Sequence, residues 1–168
     1  MNIFVTSALA ALIPLVVGFI WYNPKTFGNA WMKGAGLTEE SAKGGNMALI
    51  FGLTYLFSFM IAFFSQGLCI HQTQLFSLMM VPETGVGIIP GSEDRVKELM
   101  EIYGHSFRTF RHGMVHGGVT ATFLVLPTMA IGALFERRSW KYILINYGYW
   151  FISLMLMMGV VCQFAVLK

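Results

Sequence analysis

The sequence predicts an all-α fold: an integral membrane bundle of four transmembrane helices, with a small extramembrane helical cap between helices two and three. Three observations carry this expectation. Of 168 residues, 56% are hydrophobic and 11% charged, with a mean hydropathy of +0.65, whereas a soluble domain carries about 25% charged residues. Four runs, 3–22, 48–68, 114–135 and 142–166, contain no Asp, Glu, Lys or Arg. Each has roughly the 20 apolar residues that a helix needs to cross a hydrocarbon core of about 30 Å. The runs are also continuous rather than alternating. Lipid admits only helices and closed barrels, because every backbone polar group must be satisfied internally, and continuous runs decide for helices. One membrane domain, 1–168, follows, with transmembrane helices at about 3–22, 47–68, 112–135 and 142–166 and a cap at about 69–108.

Helix one begins without a basic n-region and runs into "WYNPK" rather than a small-residue cleavage site. It therefore reads as a retained span and not as a leader. Trp21 and Tyr22 suit the headgroup level, where amphipathic rings anchor helices, and Asn23-Pro24 ends the helix. In "KTFGNAWMKGAG", Phe27, Ala30 and Trp31 fall at i, i+3, i+4, the spacing of a short amphipathic helix lying on the membrane, with Trp31 as a third anchor. Thr38 reads as an N-cap followed by Glu39 and Glu40, with Glu39 and Lys43 four apart, so helix two is expected to start there and enter the bilayer near Met47.

The polar stretch from Cys69 to Arg111 comes next. "HQTQLFSLMMVP" has surface-helix spacing, "PETGVGIIPGS" is turn chemistry, and "SEDRVKELMEIYG" reads as a helix. Ser92 is expected to cap that helix, acids fill its first turn, Val96, Leu99, Met100 and Tyr103 form its apolar face, and Gly104 stops it. Helix three is expected from near Ser106, its first two turns standing above the bilayer. Pro127 should kink it. "FERRSWK" allows only a tight antiparallel turn into helix four, where Asn146 is expected to hydrogen-bond helix three.

The formal charge of +3 is not a nucleic-acid signal, because the basic residues sit in the loops. Loops 23–47 and 136–141 hold six basic residues, against five on the side of the termini. The six lie in short loops, where positive-inside counting applies. This places those loops in the cytoplasm of a bacterial inner membrane and both termini outside.

"GFIWYNPKTFGNAWMKGAGLTEE" and "GALFERRSWKYILINYGYW" together resemble the two signatures of the membrane family catalogued as domain of unknown function 1761. The likeness extends over nearly the whole chain, and segment 69–111 is longer than in the shortest members. The resemblance implies a four-helix integral membrane protein. It brings no reaction, ligand or site residue with it.

Chemistry concentrates in "RTFRHGMVHGG". His112 and His116, four apart on a helix, share a face. Counting back, His105 and Arg108 fall on the same stripe, and His71 follows helix two on the same side of the membrane. Neutral imidazoles at i, i+4 can grip zinc, copper or haem iron. Zinc wants a third or fourth ligand, which His71, His105, Glu98 or Glu101 would supply. The alternative is a packing seam. Gly113, Gly117 and Ala121 are spaced as small-xxx-small, which lets helices approach while polar side chains hydrogen-bond across. Weighed together, hydrogen bonding ranks ahead of a resident cofactor. Cys69 and Cys162 read as buried thiols. Glu136, Arg137 and Arg138 read as a lipid anchor or helix cap. No carboxylate or lysine lies in the spans, which disfavours an ion-coupled transporter, and no Ser-His-Asp, CxxC or phosphate-loop spacing appears.

These observations rank the functions. First comes a non-enzymatic membrane protein acting through assembly, as a small homo-oligomer or as an accessory subunit of a membrane-protein partner in the lipid bilayer, with a small-solute path as an extension. The alternatives are a metal-binding membrane protein or enzyme using His112 and His116, and a pH-responsive membrane sensor.

Overall fold

The computed structural model describes residues 1–38, 40–41, 44–80 and 87–166. Among them there is no strand, only isolated bridges that pair Asn2 with Val166 and Met80 with Ile88. The helices are α1 (Ile3–Ala10), α2 (Leu12–Trp21), α3 (Gly28–Ala35), α4 (Met47–Phe64), α5 (Gln66–Cys69), α6 (Gln72–Ser77), α7 (Ser92–Tyr103), α8 (Phe110–Thr120), α9 (Leu126–Phe135) and α10 (Trp140–Phe164). Four composite helices are long and apolar enough to cross a membrane: Ile3–Trp21, Met47–Cys69, Phe110–Phe135 and Trp140–Phe164.

The last of these is the centre of the fold. It buries 44% of its most apolar window, against 11% for Met47–Cys69. Ile143, Leu154, Met157, Met158, Val161 and Cys162 are fully buried along it. Its closest neighbour is α8, and α1, α2, α3 and α5 also pack on it. The two chain ends meet: the Met1 ammonium donates to Phe164 O at 2.8 Å, and Val166 N donates to Met1 O at 2.9 Å.

Local chemistry moves several boundaries. The first span breaks at Ala11 because Pro14, in the first turn of α2, has no N–H to return to Ala10. Thr38 and Ser41 do form a reciprocal cap, at 2.9 and 3.1 Å. That turn, however, does not continue into the second span. Asn46 makes a fresh N-cap, its side chain accepting from Leu49 N at 3.1 Å, after Gly44-Gly45. The proposed Glu39–Lys43 pair lies outside the described residues, as do 81–86 of the expected turn. At α7 the cap is Gly91, with φ of 77°, and the Ser92 hydroxyl donates instead to Ile89 O at 2.6 Å. Within the third span, Pro127 cannot bond back a full turn. The helix widens to a π turn over Ala121–Val125 before α9 begins.

Asn146 reaches helix one rather than helix three. Its Oδ1 accepts from the Tyr22 hydroxyl at 2.8 Å, and its Nδ2 donates to Tyr142 O at 2.9 Å. Trp21 Nε1 donates to Ile145 O at 2.9 Å beside it, and the Trp31 ring lies 5.1 Å from that of Tyr22. The three aromatic residues read as interface anchors thus tie the first span and α3 to α10.

Candidate metal centre

Three of the four histidines converge at the end of the molecule where the chain termini meet. Helix α5 ends at Cys69, Ile70 is extended at φ −111° and ψ 97°, and His71 turns the chain into α6. His112 and His116 lie one turn apart in α8. His112 Nε2 stands 2.9 Å from His71 Nε2 and 3.0 Å from His116 Nε2. All three ligand atoms fall within 4.8 Å of one another. His71 is exposed, while His112 and His116 are half-buried.

Hydrogen bonding does not account for this triangle. An imidazole Nε2 has one in-plane position, holding either a proton or a lone pair. The single position on His112 cannot point at both neighbours, so one of its two close approaches has no straight hydrogen bond. A cation accepting three lone pairs satisfies all three nitrogens together. With zinc–nitrogen bonds of 2.0–2.1 Å, tetrahedral geometry sets ligand nitrogens about 3.3 Å apart. The observed approaches on His112 are within a few tenths of an ångström of that spacing.

The scaffold beneath is closely packed. Gly113 and Gly117 lie against the backbone of α10, where a methyl on either would overlap the carbonyl oxygen of Met158 or Leu154, and Ala121 is fully buried. Helix α10 of the same chain fills this stripe of small residues, which is therefore not a free surface for a second copy. Arg108 clamps the same corner, donating to the carbonyls of Cys162 (Nε, 2.8 Å) and Ala165 at the end of α10. A cation there suits the negative end of a long helix.

His105 and Arg108 do not share the histidine stripe as expected. Helix α8 begins only at Phe110, because the Thr109 hydroxyl captures His112 N at 3.2 Å and Phe107 takes a left-handed φ of 59°. Both residues sit in the preceding connection. Glu98 and Glu101 are likewise not in the group, so among the described residues the ligand set is three imidazoles. Cys69 and Cys162 are free and buried nearby, the Cys162 thiol donating to Cys69 O at 3.3 Å.

A cavity of about 290 Å³ opens beside His71, lined by Gln72, Leu75, Leu99, Tyr103 and Phe107. Sequence reading passed over Gln72. Its Nε2 donates to Tyr103 O at 2.8 Å and Ser106 O at 2.9 Å, which fixes the amide orientation, and its buried Oε1 has no partner. A glutamine directly after a candidate ligand was the available signal.

The chain belongs to the family described as protein of unknown function (DUF1761). The match spans residues 5–162 and so includes all three histidines and all but the outermost residues of the four long apolar helices. No curated protein and no solved structure matches the chain.

Proposed function

We propose that the four helices cross the bilayer as a bundle, that the segment around α6 and α7 caps one end, and that this end binds a divalent transition-metal ion on His71, His112 and His116. The observation that carries it is the convergence of three Nε2 atoms, two of which approach His112 where only one straight hydrogen bond can form. Imidazole ligands suit zinc, copper, nickel and iron, and a three-nitrogen set with an open position is the arrangement of zinc sites that exchange or activate a fourth ligand. Haem fits less well, since no macrocycle fits between nitrogens about 3 Å apart. His71 also lines the cavity under α7, which would give a bound ion a route to small molecules. The charge count favours an inner-membrane orientation with both termini, and hence the metal end, outside the cytoplasm.

Elemental analysis of chelator-free protein tests this, with His112→Ala/His116→Ala beside it. The expected result is about one zinc, copper or iron per chain, absent from the variant. Wild type that takes up no metal after incubation with zinc would overturn it.

Assembly into a homo-oligomer keeps support from one observation. An apolar groove of about 890 Å³ runs between the second, third and fourth spans, lined by Phe59, Phe63, Phe64, Leu124 and Trp150. A second copy would pack there, not on the glycine seam. Native mass measurement showing monomer alone would remove this reading.

A further inference from the structure

The opposite end of the helices carries a cavity of different chemistry. It has a volume of about 560 Å³ and lies between the C-terminal half of α3 and the link from α9 to α10. Among the described residues, Lys33, Arg137, Arg138 and Lys141 line it, with Glu136 the one acid. That acid is already engaged, because Arg138 Nε holds its carboxylate at 3.2 Å. The same guanidinium donates to Ala35 O at 2.8 Å and lies 5.7 Å from the centre of the Tyr142 ring. Arg138 is therefore a strut that ties α3 to the link and neutralises Glu136. Among the described residues, Lys33, Arg137 and Lys141 make no ion pair.

Two further features sharpen the charge. Ser139 caps α10, accepting from Tyr142 N at 3.3 Å, so the positive end of a 25-residue helix opens at the cavity. The link itself closes with Arg138 N donating to Ala133 O at 2.8 Å and Arg137 N to Leu134 O at 3.0 Å, the pattern that normally puts glycine at the left-handed position. Here Arg137 occupies that position, with φ of 57°. A glycine would sit there without strain, and the chain keeps an arginine. The walls toward α3 are small, at Ala30, Gly34 and Gly36, which leaves room for a tetrahedral group among the cations.

We infer that this cavity holds the phosphodiester of an anionic phospholipid. Lys33, Arg137 and Lys141 supply the charge selection. The flanks supply the rest: Trp140 is 63% exposed and Phe135 88% exposed beside the cavity, and Leu134, Ile131 and Leu144 continue an exposed apolar surface along α9 and α10. Acyl chains descend along that surface, whereas a free phosphate has no use for it. Basic pockets at the ends of transmembrane helices bind lipid headgroups by this combination.

The test is lipid binding to delipidated full-length protein in detergent, followed by native mass spectrometry. Phosphatidylglycerol should bind well above phosphatidylcholine. Lys33→Gln and Lys141→Gln should each weaken phosphatidylglycerol by about fivefold and leave phosphatidylcholine unchanged. Arg137→Gly separates the side chain from the fold: it relaxes the left-handed backbone, so the thermal midpoint should hold or rise while phosphatidylglycerol binding falls. Equal binding of the two lipids overturns the inference, as does full binding by Arg137→Gly. Displacement of phosphatidylglycerol by an equal concentration of inorganic phosphate would also overturn it, in favour of a free-anion site.

Discussion

The two ends of this molecule gather polar groups in opposite ways. At the end where the termini meet, the Nε2 atoms of three imidazoles gather within 4.8 Å of one another, and the nearby cation, Arg108, is engaged by backbone carbonyls of α10. At the other end, among the described residues, three cations surround a cavity whose one lining carboxylate is engaged by a fourth. Converging lone pairs select a cation, and converging cations select an anion. The difference means that the character of each cluster is set by which residues the fold has already used. Counting charges by sequence position misses this, because Arg108 and Arg138 add to the tally but serve as struts.

The strongest way to break the comparison is to remove one histidine. His112→Ala deletes the imidazole that faces both others, and metal affinity should fall by more than the roughly 100-fold upper range seen for ligand-supporting residues. His105→Ala should leave affinity unchanged, since His105 lies outside the group. Isothermal titration with zinc distinguishes the two, and equal losses would mean that the triangle is not the site. Acid provides the next largest effect. Metal binding needs neutral imidazoles, whose ordinary pKa is about 6.5, and protons compete for each ligand. Zinc occupancy should therefore be full above pH 7 and lost steeply between about pH 6 and 5. Phosphatidylglycerol binding at the other end, which uses no imidazole, should stay level over that window. A parallel fall in both would point to general unfolding.

Much of this architecture was legible because bilayer physics is coarse. A span needs about 20 uncharged apolar residues, and four stretches met that requirement. The pairing of His112 with His116 was legible from helix periodicity alone, and His71 could be added because two spans bring it back to the same side. What was not legible depended on single side chains competing for backbone groups. Thr109 starts α8 four residues later than the polar run suggested, which removes His105 and Arg108 from the stripe. Asn46 restarts the second span after Gly44-Gly45. Ser92 bonds backward to Ile89, leaving Gly91 as the cap. The partner of the glycine seam was hidden for another reason: small-xxx-small says that some helix approaches closely, and only the fold says that it is α10.

The seam gives a smaller and more local prediction. Gly117→Leu would drive a side chain into the Leu154 carbonyl, and overpacking of this kind costs about 1–3 kcal/mol. It should lower the thermal midpoint in detergent and also weaken zinc binding, because α8 would be pushed off the register that sets His112 and His116 against His71. At Gly132, toward the basic end, an added Cβ meets nothing within 4 Å, so Gly132→Leu should change neither. If Gly117→Leu lowered stability but left zinc affinity intact, the histidine geometry would not depend on the packing of α8 against α10.

The smallest expected effect tests how the basic end is held. The Tyr22 hydroxyl donates to Asn146 Oδ1 at 2.8 Å, and hydrogen bonds between membrane helices average about 0.6 kcal/mol. Tyr22→Phe should therefore lower stability by about that amount at neutral pH. Burial first, then the neighbouring Tyr149 and Tyr142, push the Tyr22 phenol well above its ordinary value. A raised pKa in the folded state means that this contribution is complete below the ordinary tyrosine pKa of about 10, and is lost as pH rises above it while the unfolded chain ionises. Wild-type stability should thus fall more steeply above pH 10 than that of Tyr22→Phe, with the two curves converging at alkaline pH. Parallel curves throughout would mean that the phenol reaches water, and that α2 is held to α10 chiefly by the Trp21 hydrogen bond to Ile145 and the aromatic contacts around it.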